Sequence, residues 1–367
     1  MTDSRFDSIK DAISDLQQGK MIIVVDDEDR ENEGDFVIAA QHITPEHIVM
    51  MNRLASGIIT VPVPHNRLMD LNIGVMVSDN SEAMSTAFTI TVDAKKDIST
   101  GSSAQDRSVT IRKLADPAST HRDFVRPGHI NPLMVREGGV LRRAGHTEAA
   151  SDLMRLGGLE PVGVLCEIMG DNGEMLRFDE LFEMSRTLDM KFISIADLIR
   201  YRRKTEKLVT LTSRNELKTR YGTFTACHYA SKVDASVYTA LIRGDIANAK
   251  NTLVRIHSAN PTNDLLARLQ EVGQCPLEMA MERLSKEDHG VLLYIEKAPM
   301  DQSGIPMDER DFGIGAQILA DLGVHRVTLL TDHPVKRSAI EGFGIHIDEY
   351  LPLEGALTGA KVLRFTE

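Results

Sequence analysis

Seven of the ten residues from Asp26 to Asp35 are acidic, and they directly follow Met21-Ile22-Ile23-Val24-Val25, a wholly apolar run rich in β-branched side chains. Such a run is a buried strand. The carboxylates must therefore emerge at one end of a sheet, where ligand sites often lie. Crowding them costs Coulomb energy unless a cation or an arginine offsets it. Two arrangements meet that demand. One is a solvated acidic turn, the usual fate of a charge run. The other is a hard divalent cation beside a phosphate. Arg30, set among the acids, suits the second, because a guanidinium forks phosphate while carboxylate oxygens hold the ion.

A second element could complete such a site. Arg142-Arg143-Ala144-Gly145-His146-Thr147-Glu148 precedes a helical pattern that ends at Gly157-Gly158. Thr147 reads as the N-cap, and free amides at a helix start favour anions. Arg143 would reinforce that. His146 could supply a nitrogen ligand or a proton relay, or serve as an ordinary residue at a helix start.

The chain has 367 residues and a formal net charge of −12. That length fits two domains. The acidity excludes a broad nucleic-acid-binding face, so any phosphate must be gripped locally. Cys166, Cys227 and Cys275 are too few and too scattered for a disulfide framework, which points to a reducing cytoplasm. No apolar run is long enough for a membrane span, and no signal stretch follows Met1.

Helices are expected around residues 6–16, from Thr44-Pro45 to near Gly57, over 147–156, 178–188, 194–204, 265–284 and 311–322. Strands are expected at 21–25, 58–63, 87–92, 162–168, 208–212, 221–229, 236–242, 253–257, 290–295, 327–331 and 344–353. Loops rich in Gly, Ser and Pro are expected at 99–103 and 126–132. Strands and helices do not alternate strictly, so the fold class is α+β: two domains, each a mixed sheet with packed helices. The basic stretch Arg200-Tyr201-Arg202-Arg203-Lys204 is a natural boundary, which gives domains at 1–204 and 205–367.

The run Asp26-Asp27-Glu28-Asp29-Arg30-Glu31-Asn32-Glu33-Gly34-Asp35 resembles the signature of the 3,4-dihydroxy-2-butanone 4-phosphate synthases. The likeness continues in order through Ser56-Gly57-Ile58, Thr86-Ala87-Phe88-Thr89, Thr100-Gly101-Ser102-Ser103, Arg126-Pro127-Gly128-His129, Gly138-Gly139-Val140-Leu141, Gly145-His146-Thr147-Glu148-Ala149 and Gly163-Val164-Leu165-Cys166-Glu167. It covers roughly residues 5–203, and ordered motifs across a whole domain are far more specific than one short pattern. The resemblance implies conversion of ribulose 5-phosphate, a small phosphosugar, to 3,4-dihydroxy-2-butanone 4-phosphate and formate. It also implies Mg²⁺ or Mn²⁺ as cofactor and a homodimer.

Carried over by position, the resemblance makes Glu31 and His146 the metal ligands. His129, Glu167 and Asp35 become the catalytic set. Arg30, Glu31, Asp35, Ser103, Arg143, Ala144, Gly145, His146, Thr147 and Glu167 become substrate contacts. The chain departs from the family at Thr60, often Cys there, and at Met84-Ser85, often Tyr-Gly. A plain pentose-phosphate isomerase and a binding module without turnover are the rival readings.

Residues from about 208 resemble a degenerate GTP cyclohydrolase II. Tyr221-Gly222, Val254-Arg255-Ile256-His257-Ser258, Gly290-Val291-Leu292-Leu293-Tyr294 and Asp308-Glu309-Arg310 stand in that family's order. The family's three zinc thiolates are replaced by Asn260, Glu271 and Gly273, and nearby Cys275 cannot hold tetrahedral zinc alone. Glu296-Lys297-Ala298-Pro299-Met300 replaces the triphosphate-gripping segment. Zinc and cyclohydrolase activity are therefore not expected. Asp308 and Arg310 match the family's proton acceptor and nucleophile.

Overall fold

A computed structural model describes residues 5–27, 30–82, 84, 86–232, 236–258, 275–296, 309–332 and 345–353, with the backbone alone at 309–313. Asn260, Glu271 and Gly273, which replace the family's zinc thiolates, the 265–274 part of the expected helix, Ser85, residues 297–300 and Asp308 lie outside the described residues, as does the side chain of Arg310. The chain forms two compact units, Met1–Arg202 and Arg203–Glu367.

In chain order the first unit comprises α1 (Ile9–Gln17), β1 (Ile22–Val25), β2 (Gly34–Ala39), α2 (Pro45–Leu54), β3 (Thr60–Pro64), α3 (His65–Asp70), β4 (Val92–Ala94) and α4 (Ala104–Ala115). It continues with β5 (Phe124–Val135), α5 (His146–Leu156), β6 (Gly163–Glu167), α6 (Phe178–Thr187), β7 (Phe192–Ser194) and α7 (Ile195–Thr205). The strands form one sheet in the order β4-β5-β3-β6-β2-β1-β7. β1 runs antiparallel to β2 and parallel to β7, so the sheet is mixed.

The unbroken apolar character of β1 has a direct cause. Ile23 and Val25 pack into one apolar cluster with α2 and α4, while Ile22 and Val24 pack into another with α1 and α5. A strand covered on both faces carries no polar alternation. Local signals agree with the elements. Ser8 caps α1 by accepting from the Asp11 amide at 3.1 Å, and Thr44 caps α2 with Pro45 in the first turn.

Two expectations for this unit fail. Residues 126–132 form part of β5, not a loop. Val92 pairs with Ile130 while Asp93 pairs with Val125, so residues 126–129 bulge out of the ladder. Pro127 and Gly128 stand in that bulge, where no ladder amide is required. A Cβ on Gly128 would lie 2.0 Å from the Val92 carbonyl carbon, so only glycine fits. Residues 87–91 form no extended strand, only isolated bridges such as Phe88 to Leu133. Residues 99–103 form the expected loop, and the helix that follows it, α4, is not among those expected because its residues are strongly polar; Ser103 caps it.

The second unit comprises β8 (Val209–Thr219), β9 (Gly222–Ser231), β10 (Val237–Arg243), β11 (Thr252–Ser258), α8 (Pro276–Ser285), β12 (Gly290–Glu296), α9 (Glu309–Asp321), β13 (Arg326–Leu330) and β14 (His346–Leu351). Its sheet order is β14-β13-β11-β12-β10-β9-β8. Strands β8, β9, β10 and β12 pair antiparallel, and β12, β11, β13 and β14 pair parallel. Each unit is thus α+β with a mixed sheet and packed helices.

Candidate active site

β1 and β2 form a hairpin in which Val25 faces Gly34 and Val24 faces Asp35, and the acidic run is its turn. Asp26 organises that turn. Its carboxylate accepts from the amides of Glu33 at 2.9 Å and Glu31 at 3.4 Å. It also accepts from Arg30 Nη1 at 2.6 Å, and the same guanidinium nitrogen reaches the Glu31 carboxylate. Arg177, at the start of α6, donates to the Glu31 carbonyl at 3.2 Å and steadies the turn from outside.

Asp35 on β2 lies directly opposite Glu167 on β6. Asp35 is only 4% exposed, and its Oδ1 has no hydrogen-bond partner. Burial first, then the charges of Glu167, Glu33 and Glu31, push its pKa well above the usual carboxylate range. Glu167 is anchored at one oxygen by the Ile58 amide, 3.0 Å away.

His146, the first residue of α5, is buried, and its Nε2 lies 3.1 Å from the Val24 carbonyl. A carbonyl only accepts, so the proton sits on Nε2 and the Nδ1 lone pair is left for the site. Nδ1 lies 4.0 Å from Asp35 Oδ1. Burial lowers the His146 pKa and favours the neutral ring. Asp26, Glu31 and His146 each offer one ligand atom, all within 4.8 Å of one another. Two carboxylates and one imidazole fit a hard divalent cation such as Mg²⁺ or Mn²⁺.

The N-cap of α5 is Gly145, not Thr147 as its residue type suggested. Gly145 has extended backbone and offers no side-chain acceptor, while Thr147 already lies in the first turn. The first amides of α5 thus remain free of a side-chain cap, which suits an anion. Arg143 stands beside them. It donates to Glu148 at 2.8 Å, to Thr86 Oγ1 at 3.0 Å and to the Met84 carbonyl at 3.3 Å.

These groups converge on one cavity of about 240 Å³. Arg30, Glu31, Asp35, Arg143, His146, Thr147 and Glu167 line it, together with Thr60, Glu82 and Thr86. Ala144, Gly145, Ser103 and His129 are not in its wall. The Ser103 hydroxyl caps α4 by accepting from the Asp106 amide at 3.1 Å. His129 rides the β5 bulge with its side chain 49% exposed. Asp93 fixes it at both ends, with Oδ1 2.9 Å from the His129 amide and Oδ2 2.6 Å from Nδ1.

Sequence reasoning missed Asp93, Glu82 and the donor role of Asp26. Nothing in a run of acids ranks Asp26 above its neighbours. Asp93 meets His129 only through strand pairing across 36 positions. Glu82 accepts from the amides of Met84 and Thr86, both at 2.7 Å, and shapes the loop at the cavity mouth.

The profile of the 3,4-dihydroxy-2-butanone 4-phosphate synthase family matches residues 10–201, and that of GTP cyclohydrolase II matches 210–305 and 298–352. The bifunctional riboflavin biosynthesis protein RIBA 1, chloroplastic, of Arabidopsis thaliana is 44% identical, over 96% of this chain and 70% of that protein. The riboflavin biosynthesis protein RibBA of Rhodococcus erythropolis is 43% identical, over 95% of this chain and 90% of its own length. Among solved structures, RibBX, a two-domain 3,4-dihydroxy-2-butanone 4-phosphate synthase from A. baumannii, superposes with a TM-score of 0.78 at 35% identity, covering 93% of this chain and 99% of that one. A 3,4-dihydroxy-2-butanone 4-phosphate synthase in complex with two magnesium ions gives a TM-score of 0.53 at 40% identity, covering 55% of this chain and 98% of the other. The chain therefore belongs to the 3,4-dihydroxy-2-butanone 4-phosphate synthase family of riboflavin biosynthesis, in a two-domain form that joins the synthase to a GTP cyclohydrolase II domain.

Proposed function

We propose that the first unit converts D-ribulose 5-phosphate to L-3,4-dihydroxy-2-butanone 4-phosphate and formate, with Mg²⁺ or Mn²⁺, and that the second unit is non-catalytic. One observation carries the first statement. A single cavity gathers a hard-cation donor set, a buried carboxyl opposite a second one, and an arginine beside an uncapped helix start.

Glu31 and His146 would hold the ion, with Asp26 as a third donor, and a bound ion would supply Lewis-acid polarisation of the sugar carbonyl. The remaining work falls to this chain's own groups. Asp35 carries a proton to and from the sugar, since burial and the neighbouring carboxylates raise its pKa and favour the protonated form. Glu167, with one oxygen fixed by the Ile58 amide, presents the other to the substrate. Arg30 contacts a sugar oxygen. Arg143, Thr147 and the first amides of α5, with Ala144 and Gly145 allowing close backbone approach, hold the phosphate of a flexible open-chain sugar.

His129 and Ser103 stand outside the cavity wall, and a second copy of the chain is the reading that unites them with it. Val75, Met76 and Val77 are exposed and line a neighbouring hollow that shares Glu82, Thr86 and Phe88 with the site. An exposed apolar strip beside an active site suits a homodimer interface. Mixing His129→Ala with His146→Ala protein tests this. Mixed dimers with one intact site regain activity that neither variant has alone, whereas a monomeric enzyme shows no regain.

For the second unit, three lost zinc thiolates support the non-catalytic reading. The relatives named bifunctional favour retained cyclohydrolase chemistry instead. Near one zinc per chain together with GTP turnover would establish that alternative. The three buried, unpaired cysteines fit residence in a reducing cytoplasm. Formate release from ribulose 5-phosphate, with Mg²⁺ and then EDTA, tests the synthase reading. Metal-dependent formate abolished by Glu31→Ala and by His146→Ala supports it, and no formate from folded wild type overturns it.

A further inference from the structure

The phosphate grip hangs on a connection, residues 136–145, that joins β5 to α5. Two acids one helical turn apart on α5 hold that connection from behind. Glu148 accepts from the Arg136 amide at 3.3 Å and from Arg143 Nη1 at 2.8 Å. Asp152 accepts from the Val140 amide at 2.8 Å and from Arg202 Nη1 at 2.6 Å. Arg202 in turn donates to the Gly138 carbonyl at 2.9 Å.

The backbone between these anchors is tightly specified. Gly138 and Gly139 both adopt positive φ, at 92° and 62°. A Cβ on Gly139 would lie 2.3 Å from Asp152 Oδ2, so the carboxylate sits against bare backbone. The Gly139 carbonyl then accepts from the amides of Arg142 at 2.9 Å and Arg143 at 3.1 Å. Position is therefore passed from Asp152 through Gly139 to Arg143.

Charge matters as much as position. A carboxylate behind an anion site repels the ligand unless it is neutralised, and a buried unpaired carboxylate is costly in itself. Arg202 and Asp152 are both buried, with side chains 6% and 7% exposed. Neither lines the cavity. Arg202 is the last residue of the first unit, on the helix that continues to Thr205.

We propose that Asp152 and Arg202 are positioning residues for the phosphate grip. Asp152 fixes the Gly138–Val140 backbone that carries Arg143, and Arg202 cancels the Asp152 charge so that the grip stays attractive to a dianion. The proposal rests on the reading of Arg143 and the α5 start as the phosphate site. It adds two residues far from the substrate that set affinity and not the chemical step.

The test is a double-mutant cycle read by binding of inorganic phosphate, with turnover of ribulose 5-phosphate measured alongside. Arg202→Met leaves the Asp152 carboxyl with only the half-exposed Arg155, 3.5 Å from its Oδ1, as counter-charge. It is expected to weaken phosphate binding and raise KM together, each by about tenfold, with kcat changed far less. Adding Asp152→Asn keeps an acceptor for the Val140 amide and removes the unbalanced charge, so the double variant regains much of the loss. A packing role for Arg202 would not be rescued this way.

Unchanged phosphate affinity in Arg202→Met, with only a lower melting temperature, overturns the proposal. So does a double variant no better than Arg202→Met. Should Arg202→Met fail to fold, Arg202→Lys takes its place. Arg202 reaches Gly138 and Asp152 from one nitrogen, Nη1, which a lysine ammonium can replace while keeping the charge, so near-wild-type affinity is expected, and a tenfold loss contradicts the charge-cancelling role. Phosphate binding needs no turnover. Wild type that binds phosphate but releases no formate would therefore defeat the synthase reading while leaving this one standing.

Discussion

The two units share an architecture and differ in what they do with charge. Each is built on a mixed seven-stranded sheet. In the first, the hollow of about 240 Å³ is walled by acids and arginine, and one buried carboxyl oxygen has no partner. In the second, a larger hollow of about 650 Å³ is walled by Leu217, Tyr221, Leu241, Leu277, Leu292 and Tyr294. Its charged rim pair, Arg220 and Glu278, is satisfied in itself at 2.5 Å. Size does not mark the chemistry here. What marks it is a cluster of ionisable groups held against their own solvation preference, which a fold retains only where function requires it.

The comparison breaks most readily at the donor set. Glu31→Ala should reduce metal-dependent formate release on the order of a thousandfold, because the ion supplies several kcal/mol of charge stabilisation. A loss near twofold would mean that the acidic turn is the solvated kind after all.

Asp35→Asn should cost about a hundredfold or more in kcat, the usual scale for a general acid or base. The same change carries a stability signature of opposite sign. Asp35 holds its proton in the folded state to a higher pH than in the unfolded chain. Stability therefore falls as pH rises from the ordinary carboxylate range through that raised value. Asp35→Asn abolishes the fall. In EDTA the variant should melt above wild type at neutral pH, and the gap should close below the ordinary carboxylate range. A variant that melts lower at neutral pH would show that Asp35 is structurally satisfied.

Asp93→Asn should cost about tenfold or more in kcat, by loosening the ring it orients. A loss under about twofold would remove the orientation of His129 from the catalytic steps. Thr60→Cys restores the family's usual residue at the cavity wall. It should change kcat by less than about threefold, since it touches neither donor set nor phosphate grip. Arg220→Ala, in the second unit, should leave formate release unchanged.

Much of this difference was legible in the sequence, and the exceptions have physical causes. The acidic turn announced itself because β1 is apolar at every position, which fixes where the carboxylates emerge. Glu31, His146, Arg143 and Glu167 were singled out by motif; strand order β6-β2-β1 sets Glu167 near the acidic turn, and the α5 start, tied to Val24 through His146, adds the other two. Asp93 was invisible because its partner is distant in sequence and its contact depends on a bulge. That bulge also misled, since Pro127 and Gly128 read as a loop and yet sit within β5. Thr147 looked like a helix cap because of its hydroxyl, but the backbone turns helical one residue after Gly145, so the cap offers no side chain. The second unit was harder to read, because the positions of the family's zinc thiolates, on which its reading turns, lie outside the described residues.

The first unit is proposed to break a carbon–carbon bond and not merely to isomerise a sugar. The direct measurement is carbon-13 NMR of the products from ribulose 5-phosphate labelled at C4, with Mg²⁺ present. The account predicts that the label leaves as formate and that the phosphorylated product carries none. Label retained in a five-carbon sugar phosphate would contradict it, and would leave the acidic turn, the facing carboxyls of Asp35 and Glu167 and the α5 start as the machinery of an isomerase.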